Sequence, residues 1–152
     1  MKIVIGSDHA GFELKRTIIS SLQKQGHEVL DCGTYSADSV DYPDIAEQVT
    51  AAVLEEKIPG VLICGTGIGI SIAANKVPGI RAALCTNDYT ARLARQHNDA
   101  NILAIGSRVT AADYAIEIAD TFLKTTYEAG RHSRRVEKIK LIENKCHREE
   151  LK

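Results

Sequence analysis

The run Gly60-Val61-Leu62-Ile63-Cys64-Gly65-Thr66-Gly67-Ile68-Gly69-Ile70-Ser71 holds both an architectural and a chemical signal. Val61, Leu62 and Ile63 are a short apolar run, the pattern of a parallel strand buried on both faces. Gly65, Gly67 and Gly69 then alternate, and a helix-like segment follows. Glycines at this spacing let the backbone turn sharply and bring several N–H groups toward one ligand. The start of the helix adds partial positive charge aimed at the same place. Cys64 stands where strand gives way to loop, so its sulfur is placed to face whatever the loop holds. A thiol beside an oxyanion-binding loop is a reaction site in outline.

Outward from this run, strand and helix signals alternate along the chain. Residues 3–6 predict a first strand, ended by the loop Ser7-Asp8-His9-Ala10-Gly11. Leu14, Ile18 and Leu22 fall four apart and predict a helix that Gly26 closes. Residues 29–32 predict a second strand, and residues 33–43 a polar loop holding Tyr42. Pro43 starts a helix with Ile45, Val49 and Val53 on one face. After the glycine loop, Pro78-Gly79 is a turn and residues 82–85 a fourth strand. Residues 88–97 read as a helix, and residues 102–105 as a fifth strand ended by Gly106. Thr110 is expected to cap a helix with Ala111, Ala115, Ile118 and Phe122 inward, broken by Gly130. A final helix is predicted over residues 136–146.

Five short strands alternating with helices predict an α/β, Rossmann-like three-layer fold, a five-stranded parallel sheet covered on both faces. Residues 1–152 fit one domain, long enough for a full core. Ligands in such folds bind at the carboxyl ends of the strands. Asp8 and His9, the loop after Cys64, and Ser107 and Arg108 would all lie along that edge. His97 and Asn98 end a helix instead, and topology alone does not bring them there. The last helix is left over once both faces are covered, so it caps an edge or packs on another subunit.

Composition narrows the function classes. Apolar residues make up 44% of the 152 and the net charge is −1, which gives no global pull toward nucleic acid or a membrane surface. No apolar run approaches the ~18 residues of a membrane span, and the apolar part of the N-terminus is too short for a signal peptide. Cys32, Cys64, Cys85 and Cys146 show no Cys-x-x-Cys spacing, so zinc is not expected. Free thiols in a cytoplasmic protein are the simplest reading. Cys32, Cys85 and Cys146 read as small buried hydrophobes. Cys64 differs, because helix-terminal N–H groups and the Thr66 hydroxyl are placed to stabilise its thiolate.

Other residues keep two readings each. Arg131, Arg134 and Arg135 are either a phosphate grip or a solvated charge run. Arg108 follows a strand end, where ligands go. His9 beside Asp8 is an acid–base pair or a turn, and His97 is a helix cap or a catalyst. The glycine loop lacks the Gly-Lys-Ser/Thr ending of a P-loop. It has Ile70 where the dinucleotide fingerprint wants glycine or alanine, and it follows the third strand, not the first. Both departures weaken a nucleotide reading.

Several motifs in register carry a family resemblance. They are Gly6-Ser7-Asp8-His9-Ala10-Gly11, Asp41-Tyr42-Pro43, the run from Cys64 to Ser71, Asn75-Lys76, Arg95-Gln96-His97-Asn98-Asp99, Gly106-Ser107-Arg108 and Gly130-Arg131-His132 with Arg135. Together they resemble the B-type ribose-5-phosphate isomerases, a family that also holds galactose-6-phosphate isomerase subunits. The resemblance spans nearly the whole chain. It implies an aldose–ketose isomerase of the pentose phosphate pathway, cytoplasmic, with no metal or organic cofactor and a small sugar phosphate as substrate. It implies Cys64 as the base moving a proton between C1 and C2, with Thr66 assisting. The amides of Gly65, Thr66, Gly67, Ile68 and Gly69 would hold the enediolate. His97 would open the furanose ring, and Asp8 and Asn98 would bind sugar oxygens. His9, Arg108, Arg131 and Arg135 would bind phosphate, and Tyr42 would line the pocket. It further implies a homodimer with shared sites, His97 and Asn98 reaching in from the other subunit and the C-terminal helix packing on it.

The galactose 6-phosphate branch typically loses the His-Asn-Asp stretch and the C-terminal arginines, and both are present here. Cys64 sets the chain in the cysteine-base branch. A six-carbon substrate such as allose 6-phosphate stays open, as do a tetramer, a phosphate contact from Arg134, and a non-catalytic module that only binds a nucleotide or sugar phosphate.

Overall fold

The computed structural model of the protein describes residues 1–149, with side chains described through Lys145. The reading of Cys146 therefore falls on a side chain outside the described residues. Five strands form: β1 (Lys2–Ser7), β2 (Glu28–Asp31), β3 (Gly60–Cys64), β4 (Ala82–Leu84) and β5 (Ile102–Gly106). Six helices join and follow them: α1 (Phe12–Lys24), α2 (Tyr42–Glu56), α3 (Ile68–Ala74), α4 (Asp88–Asn98), α5 (Ala112–Lys124) and α6 (Ser133–Glu149). Single 3-10 turns cover His9–Gly11 and Gly130–His132. None of the described helices is long and apolar enough to cross a membrane.

All strand pairs are parallel, in the order β2-β1-β3-β5-β4. β3 is therefore central, with β1 and β5 as its direct neighbours. The three loops singled out in the sequence leave three adjacent strands at their carboxyl ends. Alternate side chains along each strand feed opposite faces. Ile3, Ile5, Val61, Ile63, Leu103 and Ile105 pack under α1, α4 and α5. Val4, Leu62, Cys64, Ile102 and Ala104 pack under α2 and α3. Each fully buried aliphatic or aromatic side chain there contributes about 1.5–3 kcal/mol. This parity gives Cys64 its direction: it shares a face with Leu62 and projects toward the α3 side.

A buried lysine, Lys15, ties the front of α1 to the next loop. It is 0% exposed, pairs with the Asp31 carboxylate and donates to the Thr34 carbonyl at 2.6 Å. Asp31 in turn accepts from the Gly33 N–H at 2.9 Å. An ammonium out of water is tolerable only with such partners. Their effect is to pin the Gly33–Thr34 backbone against the end of β1, where Ser7 N–H donates to Gly33 O and Thr34 N–H to Ser7 O.

Three expectations shift. α2 begins at Tyr42, so this tyrosine sits on the first helical turn and not in the loop, with Pro43 just behind it. Thr110 makes no cap: the chain enters α5 through an extended Ala111 that has no side-chain cap bond and points to solvent. α5 also stops at Lys124, well before Gly130. Thr125 turns extended there and its hydroxyl bonds back to Thr121 O at 2.6 Å, the local competition by which β-branched hydroxyl residues end helices.

α6 lies across the amino-end side of β4. Glu143 Oε1 accepts from the Gly79 N–H at 2.9 Å, and Val136 is buried. Ile139, Leu141 and Ile142 remain exposed along the same helix, Ile142 at 62%. Ile139 and Ile142 border a cleft of about 680 Å3 together with Ile80, Ala82 and Ala83.

Candidate active site

The glycine loop closes over the sulfur. Gly67 has φ 78, a left-handed backbone that L side chains rarely adopt. A Cβ there would also lie 2.5 Å from Leu84 Cδ1 and 2.9 Å from the Ile105 carbonyl carbon. Glycine at this point lets the chain double back, and the Gly67 N–H then donates to Cys64 Sγ at 3.1 Å. The first N–H groups of a helix lack partners within it. Here Gly67 gives its N–H to the sulfur and Ile68 gives its own to Thr66 Oγ1 at 3.3 Å. The N–H groups of Gly69 and Ile70 are left as first-turn donors of α3.

The neighbouring strand ends supply the surroundings. Asp8 N–H donates to Ile63 O at 3.1 Å, binding the loop after β1 to β3. The Asp8 carboxylate accepts from Gly11 N–H at 3.1 Å and is buried. His9 Nδ1 accepts from Val40 N–H at 3.2 Å. A backbone N–H can only donate, so the ring proton of His9 sits on Nε2, which is left to donate outward. Ser107 N–H donates to Cys64 O and Arg108 N–H to Gly65 O, both at 2.9 Å. A Cβ on Gly65 would meet the Arg108 guanidinium at 3.2 Å, so this cation rests on the glycine loop. A Cβ on Gly69 would meet Tyr42 Cζ at 2.7 Å, so the tyrosine ring covers the loop from the α2 side. Asp8, His9, Tyr42, Cys64 to Gly69 and Arg108 thus form one group at the carboxyl edge.

His97, Asn98, Arg131 and Arg135 form a second group elsewhere. α4 ends at Asn98, and β5 starts at Ile102 in register with Gly60. Cys64 pairs with Gly106 at the other end of the same ladder. Four steps of strand separate the two edges, about 13 Å. His97 thus sits at the amino edge of the sheet, with its ring stacked on His132 at 4.0 Å and 10° between planes. Glu128 N–H donates to Gln96 O at 3.1 Å and binds this segment to the end of α4. Cys64 itself is 4% exposed, and the clefts of about 680 and 730 Å3 are lined by other residues. Around the glycine loop, Ile68, Ile72 and Leu84 present apolar side chains to solvent. A single chain therefore places these two groups of residues at opposite edges of the sheet, with an exposed apolar rim beside the thiol.

Among the described residues, one group of possible metal ligands exists: His97, Glu128 and His132, whose ligand atoms lie within 4.8 Å of one another. Lone pairs of nearly parallel imidazoles lie in separate planes and do not converge on one ion. Arg131 and Arg135 add positive charge beside them, so the cluster suits an anion better than a cation.

The His132 ring is pushed below the usual histidine value of 6.5 by burial first, then by His97, Arg131 and Arg135, against a smaller opposing pull from Glu128. The unfolded ring therefore takes up its proton before the folded one as pH falls. This contribution to stability is complete above about pH 6.5 and declines on acidification below it. Urea melts between pH 5 and 7 should show His132→Gln losing less stability on acidification than the parent chain. Identical slopes would take His132 out of the acid response.

Sequence reading gave no role to His132, Arg81 or Lys15. A histidine between arginines carried no sign of stacking on a residue 35 positions earlier. Arg81 and Lys15 had no local motif. Only the i,i+4 spacing of Arg95 and Asp99 hinted at their ion pair, 3.1 Å here.

The Ribose/Galactose Isomerase family matches residues 3–139. Ribose-5-phosphate isomerase B of Escherichia coli is 52% identical over 145 residues, covering 95% of this chain and 97% of that protein. The solved structure of Clostridium thermocellum ribose-5-phosphate isomerase B has a TM-score of 0.94 at 59% identity, covering 95% of this chain and 99% of that one. Ribose-5-phosphate isomerase B from Mycoplasma genitalium, solved with bound ribulose-5-phosphate, has a TM-score of 0.90 at 44% identity, covering 94% and 96%.

Proposed function

This chain belongs to the ribose/galactose isomerase family, and from that premise we propose that it interconverts D-ribose 5-phosphate and D-ribulose 5-phosphate. The observation that carries the reading to these residues is the Gly67 N–H aimed at Cys64 Sγ on the central strand. Moving an aldose carbonyl from C1 to C2 requires a base to take a carbon-bound proton. It also requires donors for the enediolate oxygens, usually the largest catalytic term. Cys64 is the base, and the remaining loop N–H groups with Thr66 are the donors. His97 opens the furanose ring, and Asp8 and Asn98 hold sugar oxygens. His9 donates from Nε2 to the phosphate, and Arg108, Arg131 and Arg135 grip it. The phosphate is a remote handle whose binding energy positions the reacting carbons.

Two copies complete one site in this reading. In a two-fold dimer each contact occurs twice, so one copy's His97 group meets the other copy's glycine loop and the reverse. The separation of the half-sites and the exposed Ile68, Ile72 and Leu84 support it, as do Ile139 and Ile142 on α6. The unpaired thiols Cys32, Cys64 and Cys85 fit a cytoplasmic location. The relatives' names favour the pentose substrate over a six-carbon sugar or a purely binding role.

The direct test is ketose formation from ribose 5-phosphate by the purified chain in excess chelator. Turnover at a typical enzymatic rate, about 1–10³ s⁻¹, is expected. Tight sugar-phosphate binding without turnover would replace the isomerase by a binding module.

A further inference from the structure

We propose that Arg81 and Asp99 form a clamp that holds the end of α4 so that His97 and Asn98 point outward into the site of a second copy. Both are positioning residues, and the inference rests on the isomerase reading above. The last carbonyls of a helix have no partner within it, and a glycine in the left-handed region usually closes the turn. α4 closes on Asp99 instead, a non-glycine at φ 46 and ψ 44. A non-glycine residue is uncommon in this region; aspartate is among the better tolerated, because its short carboxylate finds hydrogen-bond partners nearby.

Those partners are two guanidinium groups. Arg81 comes from the segment just before β4. Its Nε donates to Asn98 O and Asp99 O, both at 3.0 Å. Its Nη2 donates to Asp99 O at 2.7 Å and to Asp99 Oδ2 at 3.0 Å. Arg95, one turn back on α4, donates to Asp99 Oδ1 at 3.1 Å and to Ala100 O. One carboxylate is thus shared by two cations, and Arg81 also takes the carbonyls of Asn98 and Asp99. The Arg81 side chain is largely buried, at 16% exposure.

A cap needed only for stability would work with glycine and no cation. What Asp99 adds is a bond from the α4 terminus to a separate piece of the sheet edge. His97 and Asn98 are the two residues immediately before it. Their side chains remain unencumbered by the clamp, while the backbone beneath them is tied from the β4 side and the α4 side. Groups that must reach across a subunit boundary need such support, since a misplacement of about 1 Å can cost 10²-fold in rate. Lysine cannot replace the planar fork that spans two carbonyls and a carboxylate.

The test separates ring opening from proton abstraction. Ribulose 5-phosphate has no furanose form, so loss of its C1 hydrogen to D2O needs Cys64 but not His97. Asn98 holds the open-chain sugar in both assays, so its displacement lowers both and only the excess loss of conversion reports His97: Arg81→Met is expected to lower kcat for ribose 5-phosphate about 10-fold more than the C1 exchange rate at saturation. Asp99→Gly keeps the left-handed turn without the carboxylate. It should show the same split in a chain that still melts cooperatively at a somewhat lower temperature, since Arg81 keeps its carbonyl partners, and this covers the case in which Arg81→Met fails to fold. Equal losses of conversion and exchange, or full conversion in folded Asp99→Gly, would overturn the clamp as a positioning device. A parent chain that neither converts nor exchanges would instead overturn the isomerase reading, and the clamp with it.

Discussion

Cys64→Ala is expected to lower turnover of ribose 5-phosphate by about 10³–10⁴-fold, the upper part of the range for a positioned general base. The same variant should stop loss of the C1 hydrogen of ribulose 5-phosphate to D2O. The argument runs through the carbon acid. Neither direction of the isomerisation proceeds until a proton leaves carbon, and Cys64 Sγ is the group toward which the Gly67 N–H points, at 3.1 Å. Alanine removes the acceptor but leaves strand β3, its register with β1 and β5, and the glycines unchanged. The substitution deletes one small buried atom, so the fold should lose about 1 kcal/mol and the melting transition should stay cooperative. Binding of sugar phosphate should survive, because the residues proposed to grip the phosphate are His9, Arg108, Arg131 and Arg135. Wild-type exchange by the folded variant would remove Cys64 from its role and leave the glycine loop as an anion cradle alone.

This thiol was legible in the sequence because its signal is local. An apolar triplet, a cysteine and three alternating glycines lie within nine residues, so strand, turn and helix start are all written in one window. The strand order was not. Nothing in residues 82–105 says that β5 inserts between β3 and β4, because that order is set by long-range pairing of β5 with both strands. The periodicity of α1, α2 and α5 was readable, yet the edges of elements were not. Thr110 has the composition of a cap and does not act as one, and α5 ends at a threonine that bonds backward rather than at the glycine beyond it. Tyr42 is the first residue of a helix whose start the proline marked only approximately. The long-range partners were least visible. Arg81 with Asp99, His97 with His132 and Lys15 with Asp31 are joined by folding and not by spacing.

The proposed sharing of each site between two copies gives the other large effect, and it is one that no single-chain site can imitate. Copies carrying Cys64→Ala and copies carrying His97→Asn should each be nearly inactive on ribose 5-phosphate, the second by about 10²-fold. Co-expressed with different affinity tags and purified through both, the mixed dimer should recover about half the activity of a parent dimer. One of its sites then combines both lesions, while the other joins an intact Cys64 to an intact His97. The register of β5 makes the result diagnostic. Gly106 pairs with Cys64, and Ile102 follows the α4 terminus by four residues, so the two side chains are held a strand length apart within one chain. The scaffold between them is the buried centre of the sheet and does not bend to bring them together. In the proposed dimer a second copy supplies the other group, and the exposed apolar side chains of Ile68, Ile72 and Leu84 beside the glycine loop would be its contact surface. A doubly tagged dimer as inactive as its two parents would mean that each chain works alone, and ring opening would then need a base on the carboxyl edge, where His9 is the nearest candidate.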